Sequence, residues 1–320
     1  MKRAFITGIS GQAASYLSEI LLERNYEVYG LIRHSTMPRE ERTQYVPSAV
    51  RLIDGDILDF SSLVHALRIA KPDEIYNLAA QSFVGSSWDL PIITTQTNGL
   101  GVLNLLEAMR QECKDAKMYQ ASSSEMYGVS MGRIEALTPF APVSPYAAAK
   151  VFAHHMCQVY RRSHNMFVSC GICFNHESPR RGLQFVTRKI TDGVARIKLG
   201  LTDKIHLGNL EAKRDWSHAK DTMMAAWVML QDNQPDDYIV ASGSTWSVRE
   251  FCDRAFVSVG LDYHDYIVSN TPELMRPTEV PYLLGDSTKI RRDLGWQPAY
   301  TFADLVEEMV ASDLERLKNA

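Results

Sequence analysis

The residues best suited to chemistry are a tyrosine and a lysine, with a serine and a glutamate upstream of them. Tyr146 and Lys150 lie four positions apart, and Ser123 and Glu125 precede them. Residues at this spacing share one face of a helix, so the Lys150 ammonium can lie beside the Tyr146 phenol. A nearby positive charge favours the phenolate and predicts a Tyr146 pKa below the ordinary value of about 10. The pattern is typical of a general base.

The N-terminal segment predicts the element that would position this pair against a nucleotide. The apolar strand Ala4–Thr7 leads into Gly8-Ile9-Ser10-Gly11-Gln12-Ala13-Ala14 and then into an amphipathic helix. Glycines in such a turn let the backbone approach a pyrophosphate, whose charge is stabilised at the helix N-terminus. Ala14 stands where a third glycine is common. The segment indicates a dinucleotide-binding βαβ unit, and the alternative is an ordinary βα turn.

The second predicted strand, Glu27–Ile32, ends at cationic residues. NAD enzymes place a carboxylate at this strand end to bind the ribose 2′-hydroxyl, whereas NADP enzymes offer a cation to the 2′-phosphate. Arg33 and His34 follow the strand, and the first acidic residue after it is Glu40. We therefore expect NADP as the cofactor. The alternative for Arg33 is a solvated surface charge.

Composition narrows the class of protein. The chain has 320 residues, of which 45% are hydrophobic and 22% charged, and a net charge of -4. These values predict a soluble protein of one large or two modest domains, and the charge argues against nucleic-acid or membrane-surface partners. The N-terminus enters a core strand without a leader pattern, and no apolar run reaches membrane length. With five cysteines in no even framework, we expect a cytoplasmic protein.

Cysteine and histidine pairs invite a metal interpretation, which the spacing does not favour. Cys170 and Cys173 spell C-x-x-C within Met166–Phe174, which predicts a buried strand. On a strand these two side chains point to opposite faces, and no second pair completes a zinc site. His154 and His155 fall in a helix without a ligand partner at suitable spacing. We predict core cysteines, histidines that pack or face solvent, and no metal.

Apolar runs alternate with helical patterns over the first part of the chain. Predicted strands are Ala4–Thr7, Glu27–Ile32, Ala49–Asp54, Glu74–Leu78, Lys117–Ala121 and Phe167–Cys173, and predicted helices lie near Tyr16–Arg24, Ser61–Ala70, Gly99–Glu112 and Pro145–His164. The alternation predicts an α/β fold, a Rossmann-type doubly wound parallel sheet. We expect a dinucleotide-binding domain over 1–174, with parts of 212–245, and a smaller mixed α/β substrate-binding lobe over 175–320. The cleft between them is the expected site.

Together these motifs resemble the extended short-chain dehydrogenase/reductases that modify nucleotide sugars. Within them the sequence is similar to the GDP-mannose 4,6-dehydratase family over nearly its whole length. The segments that carry the resemblance are the glycine turn, Asn77–Gln81, Tyr119–Gly128, Tyr146–Lys150, Asn175–Gly182, Phe185–Lys189, Gly208–Trp216 and Arg276–Val280. The sequence departs from the family pattern at Gln12-Ala13-Ala14, where Gln-Asp-Gly is usual, and at Ala141–Ala147, where Tyr-Pro-Arg-Ser-Pro-Tyr-Gly is usual.

The resemblance implies a hydro-lyase that converts GDP-D-mannose to GDP-4-keto-6-deoxy-D-mannose. Tyr146, held by Lys150, would remove the 4-hydroxyl proton as C4 is oxidised, and Ser123 would bond that oxygen. Glu125 would remove the C5 proton and protonate the departing C6 hydroxyl, before hydride returns to C6. An NADP-dependent reductase or epimerase of a GDP-4-keto-6-deoxy sugar, which needs no Glu125, is one alternative. A non-catalytic dinucleotide-sensing protein on the same fold is another.

The resemblance also implies two sets of binding residues, an oligomer and NADP. The cofactor set is Gly8, Ser10, Gly11, Gln12, Ala13, Arg33, Asp56, Ile57, Leu78, Ala79, Ala80, Gln81, Ser82, Tyr146, Lys150, His176 and Arg181. The substrate set is Ser82, Ser123, Glu125, Asn175, Lys189, Gly208, Arg214, Arg276 and Glu279. Arginine suits the diphosphate because its planar fork matches phosphate oxygens, although Asp215 is an alternative ion-pair partner for Arg214. A homodimer or homotetramer is implied, and the natural sugar, mannose or a heptose, stays open.

Overall fold

The structure is a computed structural model. It describes residues 1–129, 132–135, 137–274 and 278–319. In chain order the strands are β1 (Arg3–Thr7), β2 (Glu27–Ile32), β3 (Arg51–Asp54), β4 (Glu74–Asn77), β5 (Lys117–Ser123), β6 (Phe167–Cys173), β7 (Asn175–Glu177), β8 (Ile205–His206), β9 (Lys213–Arg214), β10 (Trp216–His218), β11 (Asp237–Val240), β12 (Trp246–Ser247) and β13 (Ile267–Val268).

The helices are α1 (Gln12–Glu23), α2 (Arg39–Arg42), α3 (Phe60–Ala70), α4 (Pro91–Thr95), α5 (Gly101–Glu112), α6 (Pro145–His164), α7 (Val186–Lys198), α8 (Ala219–Gln231), α9 (Val248–Val257), α10 (Thr288–Leu294) and α11 (Phe302–Lys318). A π-helical segment, Gln96–Leu100, joins α4 to α5 without a break. Among the described residues, no helix is both long and apolar enough to cross a membrane.

A seven-stranded parallel sheet forms the centre, in the order β11-β6-β5-β4-β1-β2-β3. The Rossmann-type doubly wound sheet predicted from the sequence is confirmed. Strand order reverses between β1 and β4, and in such sheets a ligand binds beyond the carboxyl ends of the strands at this point. The central strands are apolar along most of their length because helices cover both faces.

Two hydrophobic clusters lie on opposite faces of the sheet. Side chains of α1 and α8 build one, and side chains of α3, α5 and α6 build the other. A third cluster joins α7, α9 and α11 in the C-terminal part of the chain. Cys170 and Cys173 lie on β6 as buried free thiols, in agreement with the prediction of core cysteines.

Local sequence signals explain where the site-bearing elements begin. Pro145 starts α6, and the Ser144 hydroxyl caps it by accepting a hydrogen bond from the Ala147 N–H at 3.1 Å. Helix α1 starts at Gln12, earlier than the predicted Tyr16, since Ala13 and Ala14 extend it towards the glycine turn. The predicted strand over 117–121 continues to Ser123. These boundaries bring the turn, β5 and α6 to one edge of the sheet.

Candidate active site

A cavity of about 210 Å³ lies at the carboxyl edge of β1, β4, β5 and β6. The predicted site residues that line it are Gly11, Gln12, Ala13, Leu78, Ala80, Ser82, Ser123, Glu125, Tyr146, Lys150, Asn175, His176 and Arg181. The lining also includes Phe83, Val84 and Phe185, which sequence reasoning did not assign to the site. Phe185 is the first residue of the family motif Phe185–Lys189, and that motif could have indicated that it lies in the site. All four predicted catalytic residues therefore face one cavity.

Strand β5 and helix α6 hold the four catalytic candidates. Ser123 ends β5, and its hydroxyl accepts the backbone N–H of Glu125 at 3.2 Å. Tyr146 and Lys150 occupy successive turns of α6, and both are buried. The Lys150 ammonium donates to the Ala121 carbonyl at 2.8 Å and lies 5.9 Å from the centre of the Tyr146 ring. Lysine and tyrosine share a helix face as their spacing predicts.

The prediction that the pKa of Tyr146 lies below its ordinary value is wrong. Burial raises the pKa of Tyr146 to about 12, against a hydrogen bond to Ser123 that lowers it. Burial also lowers the pKa of Lys150 to about 8. Desolvation outweighs charge attraction here because both groups are buried and the ammonium is directed at the Ala121 carbonyl. The phenol is therefore protonated until further positive charge enters the site.

The glycine turn fits a dinucleotide diphosphate. Gly8 has φ +68°, and a Cβ there would lie 2.8 Å from the backbone of Ala79. Gly11 occupies the N-cap of α1, and within the described residues no side chain caps that helix or places an acid in its first turn. The first N–H groups and the positive end of the helix dipole therefore face the cavity mouth, as anion binding requires.

Gln12 ties the glycine turn to the segment that follows β6. Its side-chain amide donates to the His176 carbonyl at 2.9 Å and accepts from the Ser178 hydroxyl at 2.8 Å. The His176 imidazole lines the cavity, and burial lowers its pKa to about 4, so it is neutral near pH 7. Arg181 stacks on the Phe185 ring at 3.4 Å. The loop thus presents to the same cavity a neutral imidazole and an arginine whose charge is paired with the Glu177 carboxylate at 3.1 Å.

The segment after β4 is fixed by two polar side chains that sequence reasoning missed. The Thr7 hydroxyl accepts the N–H groups of Leu78 and Ala79 at 3.2 and 3.1 Å. Asn98, in the π-helical segment, accepts the Gln81 N–H at 2.8 Å and donates to its carbonyl at 2.9 Å. Both anchors lie far in sequence from the residues they hold, so local pattern gave no signal for them.

Cationic residues gather where the cofactor ribose is expected. Arg33 is exposed after β2, and the Arg42 guanidinium donates to its carbonyl at 2.7 Å. The Nη2 atom of Arg39 donates to both carboxylate oxygens of Asp54 at the end of β3, at 2.8 Å each, which offsets that acid. Asp56 and Ile57, also in the predicted cofactor set, follow β3 on this side of the sheet. The remaining members of that set, which do not line the cavity, are Gly8, Ser10, Ala79 and Gln81.

Arg214 and Lys189, the two predicted diphosphate cations that the structure describes, lie outside the cavity lining. Arg214 is buried and pairs with Glu279 at 2.8 Å. The alternative pairing of Arg214 with Asp215 is wrong, because the Asp215 carboxylate accepts from Ser242, Gly243 and Gly285. Burial lowers the pKa of Lys189. Gly208 also lies outside the lining, and Arg276 is not among the described residues. The structure therefore joins Arg214 to Glu279, two members of the predicted substrate set.

His154 packs in the interior, which is one of the two predicted alternatives, but the fold brings to it a thiol and a carboxylate that the sequence spacing did not indicate. His154 is 1% exposed, and its ring lies with the Cys170 thiol and the Asp237 carboxylate within 4.8 Å. Asp237 belongs to β11, which the sequence did not predict as a strand, so the spacing gave no signal. Its carboxylate already accepts from Arg161 and Gln158. The Arg161 charge opposes a cation at this position.

Comparison with known proteins identifies the family. The sequence model of the family described as GDP-mannose 4,6 dehydratase matches residues 5–309. A relative from Arabidopsis thaliana, GDP-mannose 4,6 dehydratase 1, is 46% identical over 329 residues, which cover 99% of this chain and 91% of the relative. The Homo sapiens GDP-mannose 4,6 dehydratase is 43% identical, covering 98% of this chain and 92% of the relative.

Solved structures agree with this assignment at the level of the fold. The UDP-glucose 4-epimerase of Thermus thermophilus, in complex with NAD, has a TM-score of 0.86 and 26% identity. The match covers 97% of this chain and 98% of that one. Because the family model and the relatives span almost the whole sequence, this chain is a member of the GDP-mannose 4,6-dehydratase family.

Proposed function

We infer that this chain is a GDP-mannose 4,6-dehydratase, a hydro-lyase that converts GDP-D-mannose to GDP-4-keto-6-deoxy-D-mannose. The observation that carries the inference is the position of Glu125 in one cavity with Ser123, Tyr146 and Lys150. Oxidation at C4 needs only the tyrosine and a hydride acceptor, whereas elimination of water across C5 and C6 needs a second base. Family membership over nearly the whole chain supports the same reaction and the same substrate.

We propose NADP as the cofactor. A bound nicotinamide dinucleotide supplies the acceptor for one hydride and later the donor of that hydride, so the reaction has no net redox change. The uncapped start of α1, with Gly8 and Gly11, would hold the diphosphate. Arg33 at the end of β2 supports NADP over NAD because it offers a cation to the 2′-phosphate. The other members of the predicted cofactor set keep their proposed roles.

In the first step Tyr146 removes the proton of the sugar 4-hydroxyl. Ser123 bonds the same oxygen and orients it for proton transfer. Because burial raises the pKa of Tyr146 to about 12, the phenol needs added positive charge to act as a base near neutral pH. Lys150 has a pKa of about 8 and is mostly protonated below that pH, so it supplies part of this charge.

In the second step Glu125 removes the C5 proton, which the neighbouring ketone has made acidic. The same carboxyl group then delivers a proton to the departing C6 hydroxyl, which leaves as water. A buried position in the cavity lining suits this role, since it puts the carboxyl group within reach of a sugar bound there. The reductase and epimerase alternatives give Glu125 no task.

We place the GDP moiety towards the residues after β6. Asn175 lines the cavity and can bond the sugar or a phosphate oxygen. Arg214, Lys189 and Arg276 are the proposed diphosphate ligands, and Gly208 and Glu279 complete the proposed substrate set. A homodimer or homotetramer paired through α5 and α6 is part of the same proposal.

The direct test is incubation of the purified chain with GDP-mannose and a catalytic amount of NADP. We expect 4-keto-6-deoxy product in large excess over cofactor, with no net change in the absorbance of reduced nicotinamide. Consumption of reduced cofactor in proportion to a 4-keto substrate would instead identify a reductase. Interconversion of sugar epimers without loss of water would identify an epimerase.

A further inference from the structure

A buried polar seam continues from the catalytic pair along helix α6. After Tyr146 and Lys150, His154, Gln158 and Arg161 follow at intervals of four, four and three residues, and each of them reaches a strand of the central sheet. Lys150 donates to the Ala121 carbonyl on β5, and His154 contacts the Ser122 hydroxyl on the same strand at 2.9 Å. Gln158 and Arg161 both donate to Asp237 on β11. Apolar side chains usually fill such a helix–sheet interface, so this seam requires a reason.

The contacts of His154 determine which ring nitrogen carries the proton. The Gln158 amide nitrogen lies 2.8 Å from Asp237 and 3.2 Å from the His154 Nε2 atom. That amide has two hydrogens, so it can donate to both, and Nε2 then accepts. The neutral ring therefore carries its proton on Nδ1 and donates to the Ser122 hydroxyl. Burial lowers the pKa of the imidazole, but Cys170 and Asp237, whose carboxylate lies 3.6 Å from Nε2, raise it, and the protonated ring donates to Ser122 from the same atom.

Ser122 stands between two residues that hold the catalytic groups. The carbonyl of the preceding residue, Ala121, accepts the Lys150 ammonium. The hydroxyl of the following residue, Ser123, bonds the Tyr146 phenol. A rotation of the strand at Ser122 would move both of these partners at once. Fixing the Ser122 side chain therefore fixes the end of β5 relative to α6.

We propose that His154 is a positioning residue for the dehydratase reaction, acting through Ser122 on the catalytic end of β5. This role rests on the proposed function only for the identity of the substrate. His154 touches neither the sugar nor the cofactor in this proposal. Displacement of reacting groups by about 1 Å can cost about a hundredfold in rate, so loss of the contact should lower kcat and leave KM unchanged.

Two substitutions at this position separate positioning from packing. In His154→Asn the shorter amide takes the place of Nδ1 and can still donate to Ser122. In His154→Gln the amide takes the place of Nε2 and keeps the Asp237 side of the seam instead. We expect His154→Asn to retain a kcat near that of the wild type and His154→Gln to lose about tenfold or more. The same change at exposed His65, His65→Asn, is the matched control.

Ser122→Ala gives a second measurement that does not depend on how His154 variants fold. It should lower kcat about as much as His154→Gln, and the double variant should be no worse than either single one. Equal losses in His154→Asn and His154→Gln, or full activity in Ser122→Ala, would overturn the role of His154. Failure of the wild type to dehydrate GDP-mannose would overturn the substrate assignment alone, because the variants can be compared on any nucleotide sugar whose C4 the wild type oxidises.

Discussion

Lys150 and Arg214 are both buried cations, but the two are held in different ways. Lys150, beside the predicted catalytic residues, is bound by the neutral Ala121 carbonyl, whereas Arg214 pairs with the Glu279 carboxylate. The charge of Lys150 is therefore available to the site before any ligand binds, and burial lowers its pKa. The charge of Arg214 is offset until a competing anion arrives. The catalytic residues are thus pre-organised, and the proposed diphosphate site must exchange partners to bind.

The largest effect should come from a change at the pre-organised catalytic residues. Tyr146→Phe keeps the packing of the ring and removes the phenol that takes the 4-hydroxyl proton. We expect the first oxidation to slow by about a thousandfold or more, with GDP-mannose binding and thermal unfolding unchanged. Single-turnover absorbance of reduced nicotinamide measures this step. Turnover by Tyr146→Phe at the wild-type rate would place the base elsewhere.

Glu125→Gln separates the two steps that the catalytic residues carry out, C4 oxidation and C5 deprotonation. The amide keeps the shape of the carboxyl group and loses its basicity, so C4 oxidation should proceed while C5 deprotonation slows by about a hundredfold. Reduced nicotinamide should accumulate in the presence of GDP-mannose, and solvent deuterium should fail to enter C5. If the Gln variant still forms 6-deoxy product normally, Glu125 is not the elimination base.

At the proposed diphosphate site, where Arg214 must exchange Glu279 for the ligand, we expect an effect on KM rather than on kcat. Arg214→Ala should raise the KM for GDP-mannose by about tenfold, because a charge-assisted bond to phosphate is lost. Glu279→Gln tests the exchange itself, since it releases Arg214 from its carboxylate partner. A lower or unchanged KM in Glu279→Gln supports the exchange. A KM as high as that of Arg214→Ala would instead make Glu279 a direct ligand of the sugar nucleotide.

The smallest effect concerns the choice of cofactor. Arg33 is exposed, so its attraction for the 2′-phosphate is weakened by solvent and salt. Arg33→Ala should weaken NADP binding by roughly several-fold and leave NAD binding unchanged. Titration of both cofactors by tryptophan fluorescence or calorimetry compares the two affinities. An equal loss for both would contradict a 2′-phosphate contact.

Sequence reasoning performed well where local pattern determines structure. The alternation of apolar strands and amphipathic helices predicted six of the strands in the central sheet, and Tyr146 and Lys150 face the cavity as their spacing requires. The direction of the Tyr146 pKa was wrong because burial, which depends on the whole fold, outweighs the charge of a neighbour. The surroundings of His154 were missed for a related reason. Its partner Asp237 lies on β11, a strand that the sequence analysis did not predict and that the fold brings beside β6.

The side chain of Gln12 has a thermodynamic consequence beyond its two hydrogen bonds. It joins the turn proposed to bind the diphosphate of the cofactor to the segment that begins at Asn175, a proposed ligand of the sugar nucleotide. Ordering one of these segments lowers the entropy that remains to be lost by the other. By linkage, a cofactor that tightens the turn must raise the affinity for the sugar nucleotide, and the sugar nucleotide must raise cofactor affinity by the same factor. A cofactor that must stay in place between two hydride transfers is held most firmly while the sugar is bound.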